Sequence, residues 1–411
     1  MDSFHHPEWT KDKNIYEVNL RQYTQEGTIN AFSQHLPRLK SMGVDILWLM
    51  PIHPVGQKNR KGTLGSQYAA RDYTALDPSL GSKADLKALV DQVHAMGMYL
   101  IIDWVANHTG WDHVWVEAHP EWYQRDNNGE LFPYTYVDSQ KTEYWTDVIG
   151  LNYENPVLWR GMKDAMAYWV TEFDIDGFRC DVAGLVPTPF WDYVTTELHK
   201  LKHLFMLAEW SAPDLHRQSF DMTYDWGFYE LMGAIARGHK SAAEIPNYLD
   251  QLYTQYPQDA YRMVFTTNHD KNTWEAHDDE FFGDSFKAFA VLAATLYGMP
   301  LIYSGQESYL DKRLAFFEKD PIDWKNFQLE AFYRDLLLLK RENSALWNGT
   351  FGAKPIFQQT ENPNVIHYIR ENDNNKVEVV INLSKQTQRY KHQSTQAERA
   401  LTPYQYVITK A

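Results

Sequence analysis

Eight short apolar segments, separated by longer amphipathic or polar stretches, constrain the fold of this chain most strongly. They lie at residues 15–19, 46–50, 99–103, 177–181, 205–209, 221–224, 263–268 and 300–304. Between most of them, apolar residues recur at helical spacing, which predicts helices that include 82–96, 284–297 and 328–342. Strands that alternate with helices are typical of βα units and a parallel sheet. Eight such units predict a closed (β/α)₈ TIM barrel.

Two regions interrupt this alternation. Residues 110–155 are rich in Asn, Tyr, Trp, Asp and Gly, show no clear helix, and are long for a βα loop. We expect them to form a small inserted domain after the third strand, so that the barrel comprises 1–109 and 156–345. From 346 to 411, short alternating strands at 364–370, 376–382 and 404–409 predict a C-terminal antiparallel β-sandwich.

Composition limits the partners and the cellular setting. The 411 residues carry a net charge of −15, which disfavours nucleic acid or an anionic membrane as the main partner. The 15 Trp and 26 Tyr suit either large aromatic cores or carbohydrate binding. Cys180 is the single cysteine, so an intrachain disulfide is excluded. The sequence holds no transmembrane-length apolar run and starts without the apolar core of a signal peptide. We expect a cytoplasmic protein if Met1 is native, and a periplasmic or secreted one if a signal was removed.

Polar residues cluster where the predicted strands end. These positions are Asp103, Asn107 and His108 after the third strand, Arg179 and Asp181 on the fourth, Glu209 on the fifth, and Asn268, His269 and Asp270 on the seventh. In barrels of this type the strands' carboxyl ends form the active site. An alternative is a set of buried ion pairs that close the barrel, but such pairs are weak stabilisers.

The residue types narrow the chemistry. The chain holds no serine nucleophile elbow, no HExxH motif and no cysteine ligand set, and GTLGSQ at 62–67 follows no strand. What remains is several facing carboxylates, and two close carboxylates of which one is ionised cleave glycosidic bonds with retention. Arg179 should keep Asp181 ionised, whereas desolvation between Ala208 and Trp210 should keep Glu209 protonated.

Seven motifs in order resemble those of the α-amylase family of glycoside hydrolases (family 13). They are GVDILWLMPI (43–52), DWVANH (103–108), LNYENP (151–156), GFRCD (177–181), LAEW (207–210), TTNHD (266–270) and GMPLIYSGQE (298–307). The resemblance spans nearly the whole chain. It implies that Asp181 is the nucleophile, Glu209 the acid/base and Asp270 a third carboxylate that grips sugar hydroxyls. Arg179 is then the residue that orients the nucleophile.

The resemblance also implies substrate-binding residues. His108 and His269 resemble the family's histidines that hydrogen-bond the reacting ring, and Tyr68 resembles the tyrosine that stacks beneath it. Trp210 is expected to line an apolar and aromatic leaving-group side. Asp103 is expected to be a hydrogen-bonding partner rather than a direct catalyst.

Calcium is left open by the sequence. Asn107 corresponds to a family calcium ligand, and Asp138 or Asp147 are further acids for such a site. However, many members carry Lys-His shortly after the nucleophile, where this chain has Ala-Gly-Leu-Val at 183–186. The Asp/Asn-rich run that forms a second ion site is missing from QYTQEGTIN as well. The chemistry itself requires no cofactor.

The domain plan resembles that of an endo-acting α-amylase, because about 14 residues before the first strand leave no room for an N-terminal domain. We therefore expect retaining hydrolysis of α-1,4-glucan or maltooligosaccharide by a monomer. An α-glucosidase or glucanotransferase acting on small α-glucosides is the alternative. Non-catalytic family members form another class, but these have generally lost one of the three carboxylates, all present here.

Overall fold

A computed structural model describes residues 6–392 and 395–411. Its strands are β1 (Ile15–Val18), β2 (Ile46–Leu49), β3 (Tyr99–Trp104), β4 (His108–Gly110), β5 (Pro133–Val137), β6 (Thr142–Gly150), β7 (Gly177–Cys180), β8 (Phe205–Ala208), β9 (Met222–Tyr224), β10 (Tyr261–Val264), β11 (Met299–Tyr303), β12 (Ile356–Phe357), β13 (Val365–Glu371), β14 (Lys376–Asn382), β15 (Gln388–Lys391), β16 (Glu398–Leu401) and β17 (Tyr406–Lys410). Its α-helices are α1 (Leu20–Tyr23), α2 (Ile29–Ser33), α3 (Leu36–Met42), α4 (Lys83–Ala95), α5 (Val114–Ala118), α6 (Pro156–Phe173), α7 (Thr188–His199), α8 (Trp226–Ala236), α9 (Ile245–Gln255), α10 (Asp278–Phe282), α11 (Phe286–Thr295) and α12 (Glu330–Glu342).

Eight parallel strands close a barrel in the order β1-β11-β10-β9-β8-β7-β3-β2. The predicted barrel is therefore confirmed, and each of the eight predicted segments contributes a strand. The strands are buried along nearly their whole length because helices cover the barrel outside while side chains fill its inside. The seventh strand ends at Val264 rather than at the predicted 268, so Asn268, His269 and Asp270 stand on the loop above it.

Local sequence signals explain the helix ends. Helix α4 begins after Ser82, whose hydroxyl accepts from the Asp85 N–H while the Asp85 carboxylate accepts from the Ser82 N–H. This reciprocal arrangement is a capping box, which satisfies two backbone N–H groups at the start of the helix. Helix α11 is shorter than the predicted 284–297 because residues 283–285 form a separate 3₁₀ turn.

The segment after the third strand forms an antiparallel sheet of its own. Strands β4, β6 and β5 pair in that order, and His108 of β4 lies opposite Gly150 of β6. Helix α5 lies in this region, where the sequence shows no clear helix. The sheet brings His108 and the loop before α6 to the rim of the barrel.

The C-terminal part consists of antiparallel sheets. Strands β12-β13-β14-β17 form a four-stranded sheet, and β15 and β16 form a two-stranded hairpin. The two sheets pack through Val365, Val380, Tyr390 and Leu401, which form a separate buried cluster. Among residues 6–392 and 395–411, no helix is both long and apolar enough to cross a membrane.

Candidate active site

One buried arginine joins carboxylates from three neighbouring strand ends. Arg179 on β7 is fully buried, and its Nη1 donates to Asp103 Oδ1 and to Asp181 Oδ1, each at 2.9 Å. Its Nη2 lies 3.1 Å from Glu209 Oε1. Three parallel strands end at this point, so a single guanidinium compensates three acids that would otherwise repel one another.

Asp103 lies at the bottom of this arrangement and is fully buried. Its Oδ2 accepts hydrogen bonds from Trp48 Nε1 at 3.1 Å and from the Tyr68 hydroxyl at 2.9 Å. Burial raises the pKa of Asp103 to about 6, against the opposing effect of Arg179. These contacts fit the predicted role of Asp103 as a positioning group.

His269 lies in a chain of hydrogen bonds with Glu17 and Tyr68. The sequence predicted His269 and Tyr68 as site residues but not Glu17. Its Nδ1 lies 2.5 Å from Glu17 Oε1, and its Nε2 lies 2.9 Å from the Tyr68 hydroxyl. Burial alone would lower the pKa of His269, but the charges of Asp270 and Glu17 outweigh it and raise that pKa to about 9. A protonated imidazole donates at both nitrogens, which matches these contacts.

Glu17 is the residue that the sequence analysis missed. It is a fully buried carboxylate on β1, in the otherwise apolar-looking segment IYEVN. A charged residue inside a predicted barrel strand was the available signal, because such a residue is rarely buried without a partner. The partner, His269, lies 252 residues further along the chain.

Burial raises the pKa values of Asp181 and Glu209 by different amounts. Desolvation raises the pKa of Glu209 to about 8, and desolvation opposed by Arg179 raises that of Asp181 to about 6. Burial outweighs the ion pair with Arg179, but at a pKa of about 6 the Asp181 carboxyl group is still mostly ionised at pH 7. Glu209 nevertheless has the higher pKa of the two, although its Oε2 also accepts from the Val182 N–H at 2.7 Å.

These groups open into a cleft of about 600 Å³ between the barrel mouth and the β4-β6-β5 sheet. Six of the predicted residues line it: Tyr68, His108, Asp181, Glu209, His269 and Asp270. Aromatic side chains that the sequence analysis did not single out complete the walls, namely Trp145, Trp274, Phe316 and Phe317. The side chain of Trp274 is 55% exposed at this surface.

Two predicted substrate-binding residues are not part of the cleft wall. Arg179 lies beneath it, and Trp210 packs against Gly184, so tightly that a Cβ at position 184 would overlap its indole. Residues 183–185 form a 3₁₀ turn there, and the apolar sequence after Asp181 serves to hold Trp210. Trp210 thus packs on the apolar sequence after Asp181, and its place on the leaving-group side stays a prediction.

Asn107 faces a different pocket, together with Gln124, Tyr153 and Glu154. Its Nδ2 lies 3.1 Å from His108 Nδ1, and its carbonyl accepts the Leu151 N–H. Among residues 6–392 and 395–411, Asn107 has no neighbouring group of three Asp, Glu, His or Cys side chains at metal-binding spacing.

The two acids named with Asn107 are engaged elsewhere. Asp147 lies 3.1 Å from Lys61 Nζ, and Asp138 accepts the backbone N–H groups of Gln140 and Lys141. Calcium prefers six to eight oxygen ligands, which these side chains do not assemble. Bound calcium thus stays a prediction, and no catalytic step below depends on it.

Comparisons with known proteins agree with this geometry. The family model described as "Alpha amylase, catalytic domain" matches residues 3–205. A noncanonic maltogenic α-amylase, AmyB from Thermotoga neapolitana, is 31% identical with a TM-score of 0.82; the alignment covers 98% of this chain and 97% of AmyB. An α-amylase from Lactobacillus plantarum is 28% identical with a TM-score of 0.84, covering 98% of this chain and 99% of that structure. The α-amylase MalA of Haloarcula japonica is 26% identical to this chain. The alignment covers 92% of this chain and 56% of MalA.

Proposed function

Because this chain belongs to the α-amylase family of glycoside hydrolases, we propose that it hydrolyses α-1,4-glucosidic bonds in starch-type glucans and maltooligosaccharides with retention of configuration. The observation that carries the proposal is the pairing of Asp181 and Glu209 on Arg179. Both carboxyl groups face one cleft, and the pKa of Glu209 lies above that of Asp181.

In the first step Asp181 attacks the anomeric carbon as the glycosidic C–O bond breaks. Glu209 gives its proton to the departing glycosidic oxygen, so the leaving sugar departs as a neutral alcohol. The products of this step are a covalent glycosyl ester on Asp181 and an ionised Glu209. Arg179 compensates the carboxylate charge throughout, since it contacts both acids.

In the second step Glu209 acts as a base and takes a proton from a water molecule. The water oxygen attacks the anomeric carbon and the ester bond to Asp181 breaks, which regenerates both carboxyl groups in their starting states. Two inversions at one carbon restore the α configuration.

The surrounding residues bind the reacting ring. The Asp270 side chain is 37% exposed in the cleft, where it is available to sugar hydroxyl groups. His269 is fixed by Glu17 and Tyr68, so its orientation needs no adjustment when substrate binds. Burial lowers the pKa of His108 to about 4, which keeps that imidazole neutral at the cleft wall.

The shape of the cleft favours an oligosaccharide over a single sugar. The ring centroids of Trp274 and Phe316 lie 5.3 Å apart at an interplanar angle of 43°, and Trp145 on β6 lines the same cleft. Flat aromatic faces spread along a cleft suit successive pyranose rings. We further propose that the protein acts as a monomer and that the chemistry requires no cofactor.

The experiment is a comparison of wild type and Asp181→Ala on starch, maltotriose, sucrose, trehalose and pullulan. We expect wild type to release maltooligosaccharides or maltose from starch, and the variant to keep its circular dichroism spectrum while losing turnover. Retained turnover in the variant would overturn the mechanism. Activity confined to maltotriose, sucrose or trehalose would instead identify a glucosidase or transferase.

A further inference from the structure

Two histidines and a glutamate converge in the C-terminal sheets, far in sequence from the residues of the cleft. His367 Nε2 lies 2.7 Å from Glu378 Oε1, and His392 Nε2 lies 3.1 Å from the same oxygen. One ligand atom from each residue lies within 4.8 Å of the other two. We propose that this His–Glu–His cluster is a binding site for a divalent transition-metal ion, and that Zn²⁺ is the ion that fits it best.

The fold places these side chains together for a simple reason. In the antiparallel pair β13–β14, His367 lies opposite Val380 and Glu378 opposite Ile369. His367 and Glu378 are thus diagonal neighbours on one face of the sheet. Val365 and Val380 on that face pack against Tyr390 and Leu401 of the β15–β16 hairpin. His392 follows the last residue of β15 and reaches the pair from the hairpin.

The donor set and its spacing suit zinc. Imidazole nitrogen and carboxylate oxygen are common Zn²⁺ ligands at roughly 2.0–2.2 Å, which sets neighbouring ligand atoms about 3.4 Å apart in a tetrahedron. The observed separations of 2.7 and 3.1 Å are about 0.7 and 0.3 Å shorter than this, so the side chains have to open by these amounts around the ion. A hard cation such as Mg²⁺ or Ca²⁺ would instead require oxygen ligands.

Burial is graded in a way that lets an ion enter. The side chain of His367 is 1% exposed, that of His392 is 10% exposed and that of Glu378 is 20% exposed. Water can complete the coordination from the side of Glu378.

The alternative is a cluster held by hydrogen bonds alone. In that arrangement both Nε2–H groups donate to Glu378 Oε1. Metal binding at Nε2 would require each imidazole to carry its proton on Nδ1 instead, with no net release of protons from the neutral rings. The two states differ in what they do to the hairpin. A bound ion would link β13, β14 and the end of β15 through coordination bonds, and so would stabilise the C-terminal sheets.

The test uses the full chain, stripped of metal by a chelator and free of any polyhistidine tag. Zn²⁺ is titrated against a chromophoric chelator, and Tm is measured with Zn²⁺ and with equal Mg²⁺. We expect one Zn²⁺ per chain and a higher Tm with Zn²⁺ only. Glu378→Gln and His392→Gln should each weaken Zn²⁺ binding on the order of 10- to 100-fold, the loss seen for damaged metal sites.

The controls separate this site from the cleft and from other histidines. His239→Gln removes an exposed histidine elsewhere and should leave Zn²⁺ affinity unchanged, as should Asp181→Ala in the cleft. Absence of stoichiometric binding would overturn the proposal, and so would equal affinity of Glu378→Gln and wild type. A loss in His239→Gln as large as in His392→Gln would do the same.

Discussion

The pH dependence of kcat/KM follows from the two carboxyl groups that face the cleft. Asp181 must be ionised to attack, so activity should fall as the pH drops through its pKa of about 6. Glu209 must be protonated to act as an acid, so activity should also fall as the pH rises through about 8. The predicted profile is a bell centred near neutral pH.

The size of the effect can be worked from those values. With pKa values of about 6 and 8, roughly 80% of molecules hold both groups in the reactive state at pH 7, against roughly 10% at pH 5 or pH 9. Asp181 and Glu209 both contact Arg179 and influence each other's ionisation. The pKa values read from the two sides of the pH profile therefore describe the pair and not the single residues.

The variant Glu209→Gln tests whether ionisation of Glu209 causes the fall in activity at alkaline pH. The amide cannot donate a proton, so kcat should fall about 10²- to 10⁴-fold. The remaining activity should lose its alkaline limb while the acid limb near pH 6 persists. The assay is initial-rate kinetics on maltotriose from pH 4.5 to 9.5 at constant ionic strength. An unchanged alkaline limb in the variant would refute the assignment of Glu209 as the acid.

Three further predictions test other parts of the structure. Trp274→Ala removes an exposed aromatic face of the cleft and should raise KM for maltooligosaccharides roughly fivefold with little change in kcat, as loss of about 1 kcal/mol of stacking implies; a fall in kcat alone would contradict this. Gly184→Ala places a methyl group against Trp210 and should lower the free energy of unfolding by about 1–3 kcal/mol in a urea titration, and an unchanged midpoint would contradict the packing. The Asp278 carboxylate accepts from the neutral side chains of Thr266 and Gln306, and desolvation raises its pKa to about 6. The same carboxyl group ionises at lower pH in the unfolded chain, so at pH 8 the desolvated carboxylate lowers the stability of the folded state. Asp278→Asn should therefore be about 1–2 kcal/mol more stable than wild type at pH 8, with the gain fading towards pH 4; a gain that is the same at both pH values would contradict the desolvation argument.

The barrel could be predicted from the sequence because its strands are short apolar runs between periodic helices. The strand β2, with four consecutive buried residues, is an example. The C-terminal strands β12, β15 and β16 were missed. They are two to four residues long and largely exposed, so their sequences lack a buried face that alternates with a polar one.

The candidate site could be predicted where its residues follow strands directly, as Asp181 and Glu209 do. The positions of Trp274 and Phe316 could not be predicted. Trp274 lies in the helical turn Lys271–Glu275 and Phe316 lies on a loop, and the course of both segments depends on the whole fold. The extent to which the pKa of Asp181 is raised could not be predicted, for a related reason. The sequence showed the neighbouring Arg179, but only the structure shows how completely the carboxyl group is removed from water.

The most direct test of the account is the configuration of the first product. Proton NMR of maltotriose or a longer maltooligosaccharide, recorded within seconds to minutes of adding enzyme, resolves the anomeric signals before mutarotation mixes them. Two displacements at one carbon, through an ester on Asp181, predict that the newly formed reducing end appears first as the α anomer. Initial release of the β anomer would mean a single displacement by water, and would contradict the proposed roles of both Asp181 and Glu209.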